Sequence, residues 1–103
     1  MKVYQTTVTT IHEMKNKSYQ YLPEIIDTVD EIILSSTEDK AVSIHNDLTE
    51  KYSDEDVYYV ESVDSKFTRK FATNDIKIES IIKWDLADKV TTIIIETITK
   101  EVL

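Results

Sequence analysis

The residues of this sequence whose types and spacing could do chemistry are its carboxylates, and most of them lie in the middle of the chain. Between Leu22 and Asp64 there are thirteen acids against two bases, a net charge of −11 for this segment. The whole chain of 103 residues carries −8, because both flanking segments are close to neutral. Such a surface repels nucleic acid and attracts Lys- and Arg-rich surfaces. The sequence therefore predicts a binding surface for a basic protein, without direct nucleic-acid binding.

We expect these carboxylates to lie on the solvent side of two helices and in the segment that follows. A carboxylate array selects basic partners and speeds their association, whereas the alternative is a solvated surface that keeps the protein soluble. Tyr58 and Tyr59 are adjacent on a predicted strand, so one ring faces outward, and Tyr58 is the candidate aromatic anchor. The predicted partner-binding residues are Glu24, Asp27, Glu31, Asp39, Asp47, Glu50, Asp54, Glu55, Asp56 and Tyr58.

The other candidate groups form weaker patterns. Asp54, Glu55 and Asp56 could offer oxygen ligands to a cation, but their spacing departs from the EF-hand loop and its glycine is missing. We therefore expect no metal and no cofactor. His45 has no second ligand at a metal spacing and is expected to be a packed, hydrogen-bonded residue of a helix. No nucleophile, base and oxyanion donor converge in the sequence, so we expect no enzyme.

The composition predicts one small α+β domain over residues 1–103. Fourteen Ile, nine Val and thirteen Thr favour strands. The absence of cysteine excludes disulfides, and the absence of glycine predicts that a residue with positive φ is Asn or Asp. Because the first residues lack the apolar region of a signal peptide and no run is long enough to span a membrane, we expect a cytoplasmic protein without membrane contact.

The elements that must position the carboxylates are predicted in the order β-α-α-β-β-β-β. Residues 2–12 form the first strand. Pro23 suits the first turn of a helix, whose apolar face at helical spacing is Ile25, Ile26, Val29, Ile32 and Ile33. A second helix over residues 37–52 has the apolar face Ala41, Ile44, Leu48 and Tyr52. We expect this acidic two-helix pair to pack on one face of an antiparallel sheet of four to five strands.

The second half of the chain is predicted to form four strands. Residues 57–63 and 66–72 make a hairpin with Asp64 and Ser65 in its loop, and the next turn lies at 73–75. Residues 76–84 alternate, which places one set of side chains on one face: Ile76, Ile78, Ile82 and Trp84. After a turn at 86–88, residues 90–99 also fit a helical repeat, but nine of the ten are β-branched, which favours a strand.

The last strand is expected beside the first and carries Ile on both faces. Helices on one side of the sheet leave its second face uncovered, and a second copy of the chain would cover it. The sequence therefore predicts a homodimer with Ile93 and Ile95 as self-association residues. The alternative is that this strand is central in the sheet and that its second face lies under the N-terminal segment.

In its brevity, acidity, lack of cysteine and bias towards Ile, Lys and Thr, the chain resembles small phage- or mobile-element-encoded proteins that bind host factors. The resemblance implies an inhibitor that docks its carboxylates onto the basic channel of a nuclease or DNA-binding protein, as anti-restriction, anti-CRISPR and immunity proteins do. The alternative is a structural protein that self-associates through its Ile- and Thr-rich sheet.

Overall fold

Five strands and one helix make up the part of the chain that the computed structural model describes, which is residues 1–14, 25–53, 62–85 and 89–102. In chain order the elements are β1 (Lys2–Met14), β2 (Ile25–Ser35), α1 (Glu38–Tyr52), β3 (Ser62–Arg69), β4 (Ile76–Asp85) and β5 (Lys89–Glu101). The α+β class is therefore confirmed for these residues, with a single helix in place of the predicted pair.

All five strands form one antiparallel sheet in the order β2-β1-β5-β4-β3. The predicted pairing of the first and last strands is confirmed, since β1 and β5 pair from Lys2 opposite Glu101 to Met14 opposite Lys89. Both strands are rich in Thr, Val and Ile, whose branched side chains suit a pleated surface. In this strand order β5 is the central strand, and β2 and β3 are the two edge strands.

The helix α1 agrees with the predicted second helix. Thr37 caps it, because its side-chain oxygen accepts a hydrogen bond from the Lys40 amide at 3.3 Å. Ala41, His45 and Leu48 recur at helical spacing and are buried against the sheet. The helix packs on β1, β2, β4 and β5. No helix in the described part of the chain is long and apolar enough to cross a membrane, and α1 has 15 residues.

The predicted first helix is wrong: its segment forms β2. Between Val8 and Thr9 the pairing of β1 with β2 shifts by one residue, which leaves Asp30 as the extra residue of a β-bulge. The bulge brings Val29 and Ile32, three residues apart, onto the same face of the sheet. A bulged strand can therefore show the three-residue spacing that is typical of a helix. The β-branched residues of this segment favour a strand.

The predicted hairpin loop at Asp64 and Ser65 is also wrong, because both residues lie inside β3, opposite Ile81 and Ser80. The turn between β3 and β4 lies at residues 70–75, where the Asn74 amide donates to the Lys70 carbonyl at 2.7 Å. Asn74 has φ of 61°, as the prediction for a glycine-free chain requires. The turn at 73–75 is therefore confirmed, while residues 57–61 and 86–88 lie outside the described residues.

The core lies between α1 and one face of the sheet, which we call the helix-covered face. Its buried cluster consists of Val8, Leu48, Ile82, Ile93 and Ile95. The partly buried Ile33, Ile44, Tyr52 and Trp84 pack around this cluster. The alternation predicted for residues 76–84 is confirmed, since the cluster contains Ile82 and Trp84 packs beside it.

Candidate interaction surface

The opposite side of the sheet, which we call the open face, has no covering element among the described residues. Its aliphatic side chains alternate with the buried ones along β1, β2, β4 and β5: Val3, Ile11, Val29, Ile32, Leu34, Ile81, Val90, Ile94 and Ile98. Val29, Ile32 and Leu34 are the most exposed of them, at 57%, 62% and 65%. Because monomeric proteins rarely expose large contiguous apolar patches, such a face is typical of an interaction site.

The charges on the open face balance one another. Lys77 Nζ lies 3.9 Å from Glu79 Oε2 and 3.8 Å from Glu96 Oε2. By register, and counting only described side chains, this face carries four acids and four bases: Glu13, Asp64, Glu79 and Glu96, with Lys66, Lys77, Lys83 and Lys100. The described side chains of this face therefore balance in charge, in a chain whose net charge is −8.

The two edges of the sheet are less suited to binding than the open face. In β2 the bulge at Asp30 interrupts the ladder, and the Asp30 carboxylate accepts a hydrogen bond from the Thr10 hydroxyl. The other edge, β3, has eight residues and carries Asp64, Lys66 and Arg69. Bulges, charged side chains and short edge strands all discourage the addition of another strand.

Of the predicted partner-binding carboxylates, three lie together on the solvent side of α1. Asp39, Asp47 and Glu50 are exposed there, and the eight residue steps from Asp39 to Asp47 span about 12 Å of helix. Lys40 and Lys51 are exposed on the same helix. Within the described residues, the helical part of the predicted array therefore consists of these three carboxylates, with two bases beside them.

Glu31 is not on a helix, which corrects its predicted place. It lies in β2 beneath α1, where its Oε2 accepts a hydrogen bond from the Tyr52 hydroxyl at 2.9 Å and lies 3.8 Å from Lys51 Nζ. Asp27 belongs to β2 as well, but its side chain is outside the described residues. The remaining predicted members also fall outside the described residues: Glu24, Asp54, Glu55, Asp56 and Tyr58.

A carboxylate outside the predicted set, Glu38, joins the start of α1 to the end of β3. Arg69 donates to both of its oxygens, at 2.9 and 2.8 Å. These hydrogen bonds lower the pKa of Glu38 below its usual 4.5. Arg69 also donates to Asn74 Oδ1 at 2.9 Å. The pair orients the helix on the sheet, and no local sequence pattern connects residues so far apart in the chain.

A buried polar network centres on His45, which the sequence predicted as a packed, hydrogen-bonded residue. His45 Nδ1 lies 2.9 Å from Thr97 Oγ1, and its Nε2 lies 2.8 Å from Ser80 Oγ. The chain of hydroxyls continues from Thr97 to Thr6 at 2.7 Å and from Ser80 to Ser65 at 2.8 Å. Burial lowers the pKa of His45 below its usual 6.5. The prediction for His45 is confirmed.

The Ser80–His45 pair also has the arrangement of an activated nucleophile, in which a histidine lies beside a serine hydroxyl. Ser80 is only 1% exposed, however, and a substrate carbonyl cannot reach its oxygen. Both hydroxyl partners of His45 are buried in the same layer, which satisfies the imidazole as buried polar groups require. The arrangement therefore favours a structural role for this pair.

Ile93 and Ile95, the predicted self-association residues, lie on the helix-covered face within the core cluster. Lys at either position would place a charge in the protein's own interior. Self-association stays a prediction, and a contact through this strand would use Ile94 and Ile98 on the open face instead.

No protein-family model, no curated protein and no solved structure matches this chain. Within the described residues, no three His, Asp or Glu side chains gather as a metal site requires.

Proposed function

We propose that this chain is a non-enzymatic assembly protein that self-associates through the open face of its Ile- and Thr-rich sheet. The observation that supports the proposal is the stripe of Val29, Ile32 and Leu34 along β2, exposed beside the half-buried aliphatic residues of β1, β4 and β5. A sheet that packs one face on its own core normally presents polar side chains on the other. This sheet does so at β3 and β4 but not at β2.

Burying this apolar stripe in a dimer contact would release enough free energy to offset much of the cost of association. Each of these side chains, already partly covered, would gain roughly 1–2 kcal/mol on complete burial, and two-fold symmetry doubles the set. The total is of the same order as the roughly 4–15 kcal/mol cost of association. The half-buried Ile residues of the open face would supply the remainder.

Replacing Ile32 or Leu34 by Lys is expected to convert a dimer into a monomer, because each substitution puts a charge into the proposed interface. The measurement is the molar mass from light scattering over about a hundredfold range of concentration, since dimers dissociate on dilution. Val63→Lys is the matched control: Val63 is 43% exposed and lies on the helix-covered side of β3. A wild-type chain that remains monomeric throughout would contradict the proposal.

A second candidate function is the acidic inhibitor, which the exposed Asp39, Asp47 and Glu50 on α1 and the net charge of −8 favour. In this role the carboxylates would stand in for phosphates on the basic surface of a nuclease or DNA-binding protein, in the cytoplasm of a host cell. The α1 surface and the open face lie on opposite sides of the sheet, so the two functions can coexist.

Reversing the charge of Asp39, Asp47 and Glu50 together to Lys is expected to abolish capture of a basic protein by the tagged chain. Capture by the wild type should be strong at about 50 mM salt and lost at about 500 mM, where exposed charges are screened. Asp64→Lys, on the open face, is the control. Salt-sensitive capture that survives the triple reversal would eliminate this candidate.

A further inference from the structure

We infer that the partner of the open face is a second copy of this chain, packed sheet to sheet about a two-fold axis with the helices on the outside. The inference rests on the proposed self-association and adds that the open face of one copy packs on the open face of the other. Two sheets that pack face to face lie about 10 Å apart. The result is a four-layer arrangement of helix, sheet, sheet and helix.

The size of the open face fits this arrangement. Ten paired residues of strand are about 33 Å long, and five strands are about 24 Å wide. The resulting footprint of about 800 Å² equals the area that each partner contributes to a standard stable interface. A pairing along one edge strand would cover only a fraction of that area.

The charge distribution also favours a second copy. Two chains of −8 each repel one another over most of their surfaces. The open face is the exception, since its described acids and bases are equal in number and Lys77 already lies between Glu79 and Glu96. A strongly basic partner would find little excess negative charge among these described side chains, and a second copy would meet less repulsion here than at the acidic side of α1.

The edges provide the competing arrangement, in which two sheets join side by side. Joining through β2 would bring two bulges and two copies of Asp30 and Glu31 together. Joining through β3 would use a short strand that carries Asp64, Lys66 and Arg69. Both edges have the features that prevent strand addition, so the contact falls to the open face.

The two arrangements differ most at the central strand. Ile94 lies on the open face of β5 and Thr9 lies opposite it on β1. In face-to-face packing, an axis near the centre of the sheet brings one of these positions close to its own copy. In side-by-side joining, through either edge, two copies of Ile94 would be five strand spacings apart, about 24 Å.

The test is crosslinking through introduced cysteines, for which the chain is suited because it has no cysteine. Ile94→Cys and Thr9→Cys are prepared separately, with Ser43→Cys on the exposed side of α1 as control. A thiol-specific crosslinker about 10 Å long spans the gap between two facing sheets, but it does not span the roughly 24 Å of side-by-side joining. Treatment followed by denaturing electrophoresis is expected to convert most of at least one open-face variant into a covalent dimer, and to leave Ser43→Cys as monomer.

Light scattering on the wild type distinguishes failure of the face-to-face arrangement from failure of self-association itself. A dimeric mass together with no crosslink at Ile94 or Thr9 overturns the face-to-face arrangement and leaves self-association standing. A monomeric mass at every concentration overturns both. Crosslinking of Ser43→Cys equal to that of the open-face variants also overturns the arrangement, because it places the helices in the contact.

Discussion

Replacing Ile95 by Ala is expected to lower the free energy of unfolding by about 2–5 kcal/mol. Ile95 lies in the central strand, is completely buried and contributes to the core cluster beneath α1. Deleting three of its carbons removes apolar contacts and leaves a cavity that the surrounding strands cannot close. Because a domain of this size has about 5–15 kcal/mol of stability in total, the loss would be plain in a urea denaturation curve.

The matched control is Ile32→Ala, which removes the same atoms from a side chain that is 62% exposed. Its expected cost is below about 1 kcal/mol, since little apolar surface returns to water. Both variants are measured at the same low protein concentration, so that a dimer contributes little to either. A larger loss from Ile32→Ala than from Ile95→Ala would mean that the covered and open faces are assigned the wrong way round.

The second large effect is a loss of stability as the pH falls through about 6.5, caused by His45. Burial lowers the pKa of His45 in the folded protein below its usual 6.5, because the buried imidazole is poorly solvated as a cation. The unfolded chain therefore binds a proton that the folded chain does not. The contribution is fully present above the unfolded pKa. It declines by up to about 1.4 kcal/mol per pH unit between the unfolded pKa and the lowered folded one, and it does not decline further below the folded value.

The measurement is the free energy of unfolding from pH 8 to pH 5 for the wild type, His45→Gln and His12→Gln. His45→Gln is expected to be less stable at pH 8, since the hydroxyls of Thr97 and Ser80 lose a fitted partner, but its stability should depend less on pH. His12→Gln, the control, removes the other histidine of the chain, so that comparing the two variants separates the two imidazoles. Equal slopes in the wild type and His45→Gln would show that His45 is not the group responsible.

The carboxylates with lowered pKa values act in a separate range. Hydrogen bonds from Arg69 to Glu38 and from Lys2 to Asp75 lower the pKa of each carboxyl below its usual 4.5 and 3.8. Their contributions are present above those unfolded values and are lost as the pH falls further through the folded ones. The histidine effect can therefore be measured near pH 6 without interference from these ion pairs.

The relation between the acidic surface and the open face decides how the two candidate functions combine. In a face-to-face dimer the two copies of α1 lie on opposite outer sides, with Asp39, Asp47 and Glu50 of each copy free to meet a basic partner. The dimer would then be bivalent, and two linked sites raise the apparent affinity for a partner that can engage both. Self-association and inhibition are compatible on these grounds.

The bulge at Asp30 is the reason that the segment of β2 shows the residue spacing of a helix. Val29 and Ile32 are three residues apart, which is a helical spacing, and only the pairing of β2 with β1 puts both on the open face of a sheet. The wrong helix concealed the exposed stripe and inflated the acidic surface, because it placed Glu31 beside Asp39 and Asp47. This one extra residue therefore changes where the candidate binding surface lies, while the α+β class stays as predicted.

The elements whose patterns are local can be predicted from the amino-acid sequence: α1 from its cap and apolar spacing, β4 from its alternation, and β5 from its β-branched composition. The lack of glycine also predicts that a positive φ falls on Asn or Asp, and Asn74 has it. Tertiary contacts set which face of β5 is covered, the pairing of Glu38 with Arg69, and the place of His45 between Thr97 and Ser80. These features depend on contacts between residues more than thirty positions apart, whose free energies leave no trace in local propensity.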